Sequence, residues 1–278
     1  MYKIIIDSCG EIPEIFKKTG KFINVPLTLE VDGVEIVDDE TFDQADFLKR
    51  VAASPTSPKS ACPSPDAYMK AMDCEADNIY VITLSSQLSG SYNSACLAKD
   101  LFLEDHEDKN VAVIDSKSAS IGETLIGIKI SEFEEKGMSF DEVVKAAEDY
   151  VASQHTFFVL ESLETLRKAG RLGHLKALIA STLNIKPVMG STDEGNIQQL
   201  GQTRGIVKAL DQMVTHMLEV TENTAEKILA ISHCNCPQRA LQLKEKLEKR
   251  ASFKEIYIID TNGVSSMYAN DGGVIMVV

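Results

Sequence analysis

The sequence predicts an α/β protein whose two halves are built differently. In the first half, short apolar segments such as Ile79–Leu84 and Val111–Ile114 alternate with helical segments. This pattern is typical of a mostly parallel sheet covered by helices on both faces. After about residue 155, strands also follow one another directly, which indicates an α+β arrangement. The 278 residues suit two ordinary domains, predicted at 1–154 and 155–278.

The elements of the first half follow from apolar runs and from the turn residues between them. Ser64 with Pro65 at the first helical position is an ordinary helix start, so the nearby Ser60 hydroxyl is not needed as a cap. The predicted order is strand Lys3–Ile6, strand material within Phe22–Leu29, a helix beginning near Asp66, strand Ile79–Leu84, a helix through Lys99, strand Val111–Ile114 and helix Ile121–Glu135.

The second half is predicted in the same way. Asp193-Glu194-Gly195 indicates a hairpin, and Gly170 is placed to end a short helix. The predicted strands are Thr156–Leu160, Ile185–Met189, Asn196–Leu200, Lys227–Ser232, Glu255–Ile259 and Gly273–Val278. The predicted helices are Leu163–Ala169, Leu175–Leu183, Gly205–Thr221 and Pro237–Lys249. Because no flexible linker divides the halves, we expect a ligand cleft between packed domains.

Composition excludes several classes of protein. Lys and Arg total 28 against 42 Asp and Glu, a formal net charge of −14, which argues against nucleic acid or an anionic membrane surface as the main partner. The chain has no apolar run of about 18 residues, so no helix is expected to span a membrane. The N-terminal apolar run is too short for a signal peptide. We therefore expect a cytoplasmic protein whose six cysteines are free thiols.

Short motifs for common enzyme and metal sites are missing from the sequence. It contains no dinucleotide-binding, phosphate-loop, nucleophile-elbow or zinc-protease motif. His233-Cys234-Asn235-Cys236 offers three clustered ligands without a second cluster, whereas a structural zinc site requires four. We therefore expect neither a metal nor a cofactor.

Hydroxyl-bearing loops follow three of the predicted parallel strands. Asp7-Ser8, Ser85–Ser91 and Asp115-Ser116 all lie at the carboxyl edge of the sheet, where open α/β proteins bind ligands. Asp7, Ser8, Asp115 and Ser116 are expected to be helix caps rather than ligands. Ser85–Ser91 has more serines than a cap requires, and Gly90 allows close approach of a ligand, so a binding loop is an equal alternative.

A basic cluster, Arg167 to Arg171, stands out in this acidic chain. One interpretation is a helix end whose cations interact favourably with the helix dipole. The other is contact with an anion or with a partner protein. The sequence leaves both interpretations open.

Six segments, taken together and in order, resemble the DegV family, which includes fatty-acid-binding FakB proteins. The resemblance covers essentially the whole chain. Its segments are Ile6-Asp7-Ser8, Ser60–Pro65, Leu84–Tyr92, Val113–Gly122, Leu163–Leu172 and Ile185–Val188.

The resemblance implies a two-domain protein that buries one fatty acid in a tunnel, holds its carboxylate on hydroxyls and performs no chemistry. FakB-type members present the acid to a fatty acid kinase. Ser60 stands where the family has its carboxylate-binding Thr, and Ser89, beside Gly90, where it has its binding Ser. Arg171 matches a kinase-facing or phosphate-facing position. Tyr268 stands at the family's ligand-side His.

Two of the departures from the family pattern bear on function. Ala61 replaces a Ser and removes one hydrogen-bond donor. Tyr268 supplies a hydroxyl that stays neutral where His can be charged, which bears on coupling to a kinase. Besides a fatty-acid carrier, two other hypotheses stay open. One is an enzyme acting on a small acyl or phosphorylated substrate at the same anion site, and the other is a regulatory protein whose bound lipid is sensed by a partner.

Overall fold

The computed structural model describes residues 1–173, 175 and 184–278. Apart from Leu175, the predicted helix Leu175–Leu183 lies outside these residues. The strands of the described part are β1 (Tyr2–Asp7), β2 (Phe22–Val25), β3 (Thr28–Val31), β4 (Val34–Val37), β5 (Lys59–Ala61), β6 (Asn78–Thr83), β7 (Asn110–Asp115), β8 (Thr156–Val159), β9 (Ile185–Ser191), β10 (Ile197–Arg204), β11 (Ile228–His233), β12 (Glu255–Asp260) and β13 (Val274–Val277).

The α-helices of the same residues alternate with these strands through most of the chain. They are α1 (Glu14–Lys17), α2 (Gln44–Ala53), α3 (Pro65–Met72), α4 (Ser91–Asp105), α5 (Ile121–Glu135), α6 (Phe140–Ser153), α7 (Glu164–Lys168), α8 (Ile206–Val220), α9 (Pro237–Glu248) and α10 (Gly263–Ala269).

The first sheet is parallel and four-stranded, in the order β2-β1-β6-β7. Successive residues of β1 face opposite sides. Ile4 and Ile6 pack against α5 and α6, while Ile5 packs against α3 and α4. Because both faces are covered, the strand can be apolar throughout, and this confirms the α/β architecture predicted for the first half.

The second sheet is mixed and six-stranded, in the order β10-β9-β8-β13-β11-β12. Strands β9 and β10 form the predicted hairpin, in which Gly195 has a φ of +88°. Helices α8 and α9 cover one face of the sheet. Apolar residues of α5 reach across and pack against Ile228 and Ala230 of β11. The α+β character is confirmed, whereas a domain boundary between residues 154 and 155 stays a prediction.

A small antiparallel sheet, in the order β4-β3-β5, was missed by the sequence analysis. The segment Phe22–Leu29 contains the predicted strand material, but the chain leaves the parallel sheet at Pro26 and begins β3 at Thr28. Proline has no N–H to continue a ladder, which favours a break at this position. The small sheet matters for the site because β5 carries Ser60.

The prediction that Asp7, Ser8, Asp115 and Ser116 cap helices is wrong. Helix α1 begins after Pro13 and α5 begins after Ser120, so none of the four residues stands at a helix start. Two other local predictions are confirmed. Ser64 caps α3 through the N–H of Ala67, and Gly170, with a φ of +78°, follows the end of α7.

The described residues include no helix with the length and apolar content needed to cross a membrane.

Candidate functional site

A cavity lies between the β8–β13 face of the second sheet, α10 and the loops after β6 and β7. It holds about 100 Å³ of space that the centre of a water molecule can occupy. Thr156, Phe158 and Leu160 all line it, and alternate residues of a strand face the same side. With a rise of about 3.3 Å per residue, the cavity extends along this segment for about 13 Å.

Most of the lining is apolar. Phe158 and Ile275, which are paired neighbours on β8 and β13, form part of the floor, and Leu166 and Val264 form part of the wall. The described lining residues include two cations, Lys117 and Arg171, and no carboxylate. The chain has a net charge of −14, yet its described cavity lining has only cations among the charged groups. Cations in a mostly apolar cavity favour an anionic ligand with a long apolar part.

Ser60 and Tyr268 meet beside the cavity, where Tyr268 packs against the cluster that contains Leu160. Ser60, Ser89 and Gly90 are not among the described lining residues. Ser60 is held by its pairing with Leu29 in the small sheet, and Tyr268 lies near the end of α10. Their hydroxyl oxygens are 3.1 Å apart, and the Tyr268 side chain lines the cavity. The structure thus brings together two of the residues that the sequence analysis selected from segments 208 positions apart.

Ser89 and Gly90 precede α4. The Ser89 hydroxyl accepts the N–H of Ser91 at 3.2 Å and lies 3.0 Å from the Ser91 hydroxyl. A Cβ atom at Gly90 would stand 3.2 Å from the Cys62 sulfur, so this loop runs tightly against the chain that leaves β5. The loop carrying Ser89 therefore packs directly against the segment that follows Ser60.

Arg171 also borders the cavity. Its Nε donates to the carbonyl oxygen of Leu88 at 3.1 Å, and its Nη1 donates to that of Ala169 at 2.6 Å. The half-buried guanidinium therefore joins the end of α7 to the serine-rich loop. This location is compatible with both a ligand-facing and a partner-facing role.

Three buried carboxylates, all missed as functional residues, organise the segments around the cavity. Asp7 accepts the N–H groups of Leu84 and Cys9 at 2.9 and 3.1 Å, which joins the ends of β1 and β6. Asp38 accepts the N–H groups at the start of α10, at 2.6 Å from Gly263 and 2.9 Å from Val264. The positions of α10 and of the serine-rich loop depend on these bonds.

Glu11, the third of these carboxylates, accepts the Ser120 hydroxyl at 2.7 Å and the N–H of Asn262 at 3.4 Å. Burial raises the pKa of Asp38 to about 6 and the pKa of Glu11 to about 7. Burial and the charge of Asp7 raise the pKa of the nearby Glu123 well above its usual range. Neither Glu123 carboxyl oxygen has a donor among the described residues, so its neutral form fits beside Asp7.

His233, Cys234 and Cys236 are the candidate zinc ligands of the sequence. His233 Nδ1 lies 3.3 Å from Asp260, and burial raises the pKa of both Cys234 and Cys236 to about 11. A cluster of metal-ligating side chains was not found within the described part of the chain.

A model of the DegV family, described as uncharacterised proteins, matches residues 1–277. A DegV domain-containing protein from Streptococcus pneumoniae is 35% identical over 278 residues, which cover 99% of this chain and 98% of that protein. The chain belongs to the DegV family.

Solved structures of DegV proteins share the whole fold. A DegV-family protein from Ruminococcus gnavus, refined with vaccenic acid, is 47% identical with a TM-score of 0.97, covering 100% of this chain and 99% of that one. The fatty acid kinase B3 protein of S. pneumoniae, loaded with linoleic acid, is 33% identical with a TM-score of 0.89, covering 100% and 98%.

The buried carboxyls predict that the fold is less stable at about pH 8 than at about pH 5. Folding raises the pKa of Asp38 from 3.8 to about 6 and that of Glu11 from 4.5 to about 7. The folded state therefore binds more protons than the unfolded state in this range, and stability falls as the pH rises through the folded pKa values. The lowered pKa of His155 acts in the opposite direction, but it is a single group.

Urea denaturation at the two pH values measures this effect, with an expected difference on the order of 2 kcal/mol. Glu11→Gln keeps an acceptor for Ser120 and should flatten the pH dependence, whereas Glu35→Gln on the exposed strand β4 should not. An equal or greater free energy of unfolding at the higher pH would contradict the analysis of these carboxyls.

Proposed function

We propose that this protein is a fatty-acid carrier that buries a long-chain acid in the cavity along β8. The observation that carries the proposal is an apolar cavity lined by Tyr268, whose hydroxyl is paired with that of Ser60. In the proposal, the carboxylate lies at this hydroxyl pair together with Ser89 and the backbone of Gly90. The fatty acids bound by the R. gnavus and S. pneumoniae proteins support the proposal.

The energetics favour such a ligand. Burial of each methylene group contributes about 0.8 kcal/mol, so a long chain gains ample affinity from a dry cavity. A desolvated carboxylate must recover its lost hydrogen bonds, and two or three hydroxyl donors meet that need. The acyl chain thus supplies affinity, and the polar end fixes the orientation of the ligand.

The carrier is proposed to perform no chemistry of its own. Among the described lining residues, the only thiol is that of Cys9. Burial raises its pKa well above the ordinary value, and the neighbouring Glu123, Asp7 and Glu11 add to the shift. A thiol held protonated is a poor nucleophile, which argues against an acyl enzyme at this site.

A fatty acid kinase is the proposed partner. The S. pneumoniae neighbour is named as the fatty acid kinase B3 protein. In the proposed complex, the carboxylate of the acid lies near the protein surface, beside the exposed Gly90. In this proposal the protein acts in the cytoplasm and delivers the carboxylate for phosphorylation.

The direct test of the carrier function is a binding titration of delipidated protein. Oleic acid, its methyl ester and a fatty acid with a short chain are compared at equal concentration. The carrier function predicts tight binding of the long-chain acid, weaker binding of the ester and little binding of the short acid. Failure of every long-chain acid to bind at micromolar concentration would rule out the proposal.

Ser60 and Ser89 are predicted to hold the carboxylate jointly. A hydrogen bond to a charged group contributes about 1.5–3 kcal/mol, so Ser89→Ala should weaken binding of oleic acid by about tenfold or more. The Ser60→Ala, Ser89→Ala double variant should bind still more weakly in the same titration. Ser153→Ala, on the exposed end of α6, is the matched control. Unchanged affinity in the double variant would show that these hydroxyls do not contact the ligand.

Tyr268→Phe tests the phenol separately from its ring. The variant keeps the packing of the ring and removes the donor, so binding of the acid should weaken while binding of the methyl ester stays nearly the same. Tyr257→Phe, on β12 and outside the described cavity lining, is the control. If the ratio of acid affinity to ester affinity stays at its wild-type value, Tyr268 acts through packing alone.

Arg171→Ala is predicted to affect the kinase reaction more than the lipid. Lipid content measured by mass spectrometry should stay intact, while acyl phosphate formation with a fatty acid kinase should fall. Arg167→Ala removes a cation from the same basic cluster, one that is paired with the exposed Glu164, and should change neither readout. Loss of bound lipid together with full coupling to the kinase would reverse the assignment of Arg171.

A further inference from the structure

The end of the cavity far from Tyr268 is polar. Ser118, on the loop after β7, and Thr156, at the start of β8, both line the cavity and are only 4% and 7% exposed. Their hydroxyl oxygens lie 2.6 Å apart. Tyr268 packs against the apolar cluster that contains Leu160, and Thr156 lies four residues from Leu160 along the same segment, so the pair stands about 13 Å from that end of the cavity floor.

The hydroxyl pair has one proton that is not used. Two hydroxyls carry two protons, and the bond between Ser118 and Thr156 uses one of them. Among the described residues, neither hydroxyl makes another hydrogen bond. An O–H donor therefore remains beside the cavity, and a buried donor without an acceptor is costly.

A second unsatisfied polar atom lies close to the pair. Gln154 is only 9% exposed, and its Oε1 has no partner among the described residues. A Cβ atom at Gly122 would collide with the Ser118 hydroxyl and would lie 3.2 Å from Gln154 Oε1. Neither Gln154 nor Gly122 is among the described lining residues, so the polar group that faces the cavity here is the Ser118–Thr156 pair.

The other buried hydroxyls in this part of the lining are satisfied by the protein. The Ser120 hydroxyl donates to Glu11 at 2.7 Å, and the Ser265 hydroxyl donates to the carbonyl oxygen of Cys9 at 3.1 Å. These two side chains therefore need no polar group from a ligand. The unsatisfied donor belongs to the Ser118–Thr156 pair, and an unsubstituted acyl chain offers it no acceptor.

We propose that the cavity is selective for long-chain acids that carry an oxygen on the chain, a hydroxyl or keto group located about 13 Å from the carboxylate. This inference rests on the proposed function, because it takes the carboxylate to lie beside Ser60 and Tyr268. The chain oxygen accepts the free O–H of the Ser118–Thr156 pair. The carboxylate end fixes the depth of the chain, so only a narrow range of substitution positions brings the oxygen to the pair.

The test compares octadecanoic acid with a series of hydroxyoctadecanoic acids whose hydroxyl is placed at successive carbons. Each is measured by direct titration of the delipidated protein. One position, or two adjacent positions, should bind about 3- to 10-fold more tightly than the unsubstituted acid. Hydroxyls at the remaining positions should weaken binding, because they bury a polar group without a partner.

Two variants assign the preference to this pair. Thr156→Val keeps the shape of the side chain and removes its hydroxyl, and Ser118→Ala removes the partner hydroxyl. Because either single variant leaves one free O–H, the Ser118→Ala, Thr156→Val double variant should abolish the preference for the favoured isomer and leave the affinity for octadecanoic acid nearly unchanged. Ser191→Ala, which alters another residue lining the same end, should retain the preference.

The outcomes separate this inference from the carrier function. If octadecanoic acid binds and no hydroxylated isomer binds more tightly, the selectivity is wrong and the carrier function stands. A preference that survives in the Ser118→Ala, Thr156→Val double variant would also overturn the assignment to the pair. If no acid of the series binds, both proposals are wrong.

Discussion

Two buried carboxylates hold the cavity together, and the geometry of the polar site depends on them. Asp38 accepts the first N–H groups of α10, and Asp7 accepts those of Leu84 and Cys9. Without these acceptors the N–H groups would be buried and unpaired, at a cost of about 1–3 kcal/mol each. Because Tyr268 lies on α10 and Ser89 follows Leu84 along the chain, the geometry of the proposed carboxylate site depends on two carboxylates that are not among the described lining residues.

This arrangement keeps the buried carboxylates out of the described cavity lining. Glu11 and Asp38 are not among the described lining residues, and protein O–H and N–H groups donate to them. The described lining has cations, hydroxyls and apolar side chains instead. In the proposed complex, the carboxylate therefore meets hydroxyl donors and no like charge from the described lining. Burial of these carboxyls lowers the stability of the fold at higher pH. Their hydrogen bonds offset part of that cost and fix the segments around the cavity.

The α/β architecture, the family and two residues of the proposed site were predicted from local sequence patterns. Continuous apolar strands between helices indicated the parallel sheet. The order of six segments indicated the family, and comparison with the family pattern selected Ser60 and Tyr268. The small sheet, the role of Asp38 and the Ser118–Thr156 pair were missed. Asp38 acts on residues 225 and 226 positions away, and Asp7 binds an N–H group 77 positions away, so no periodicity reveals them. An Asp-Ser pair after a strand has the local appearance of a helix cap, and only the tertiary structure shows its partners.

The central claim is that the protein binds one long-chain fatty acid, and native mass spectrometry of the protein as purified tests it most directly. A denaturing spectrum of the same sample gives the mass of the chain alone. The account predicts that the native mass exceeds the chain mass by one long-chain fatty acid, and that extraction identifies an acid in stoichiometric amount. Delipidated protein incubated with such an acid should regain the same added mass. A native mass equal to that of the chain alone, both before and after incubation, would contradict the account.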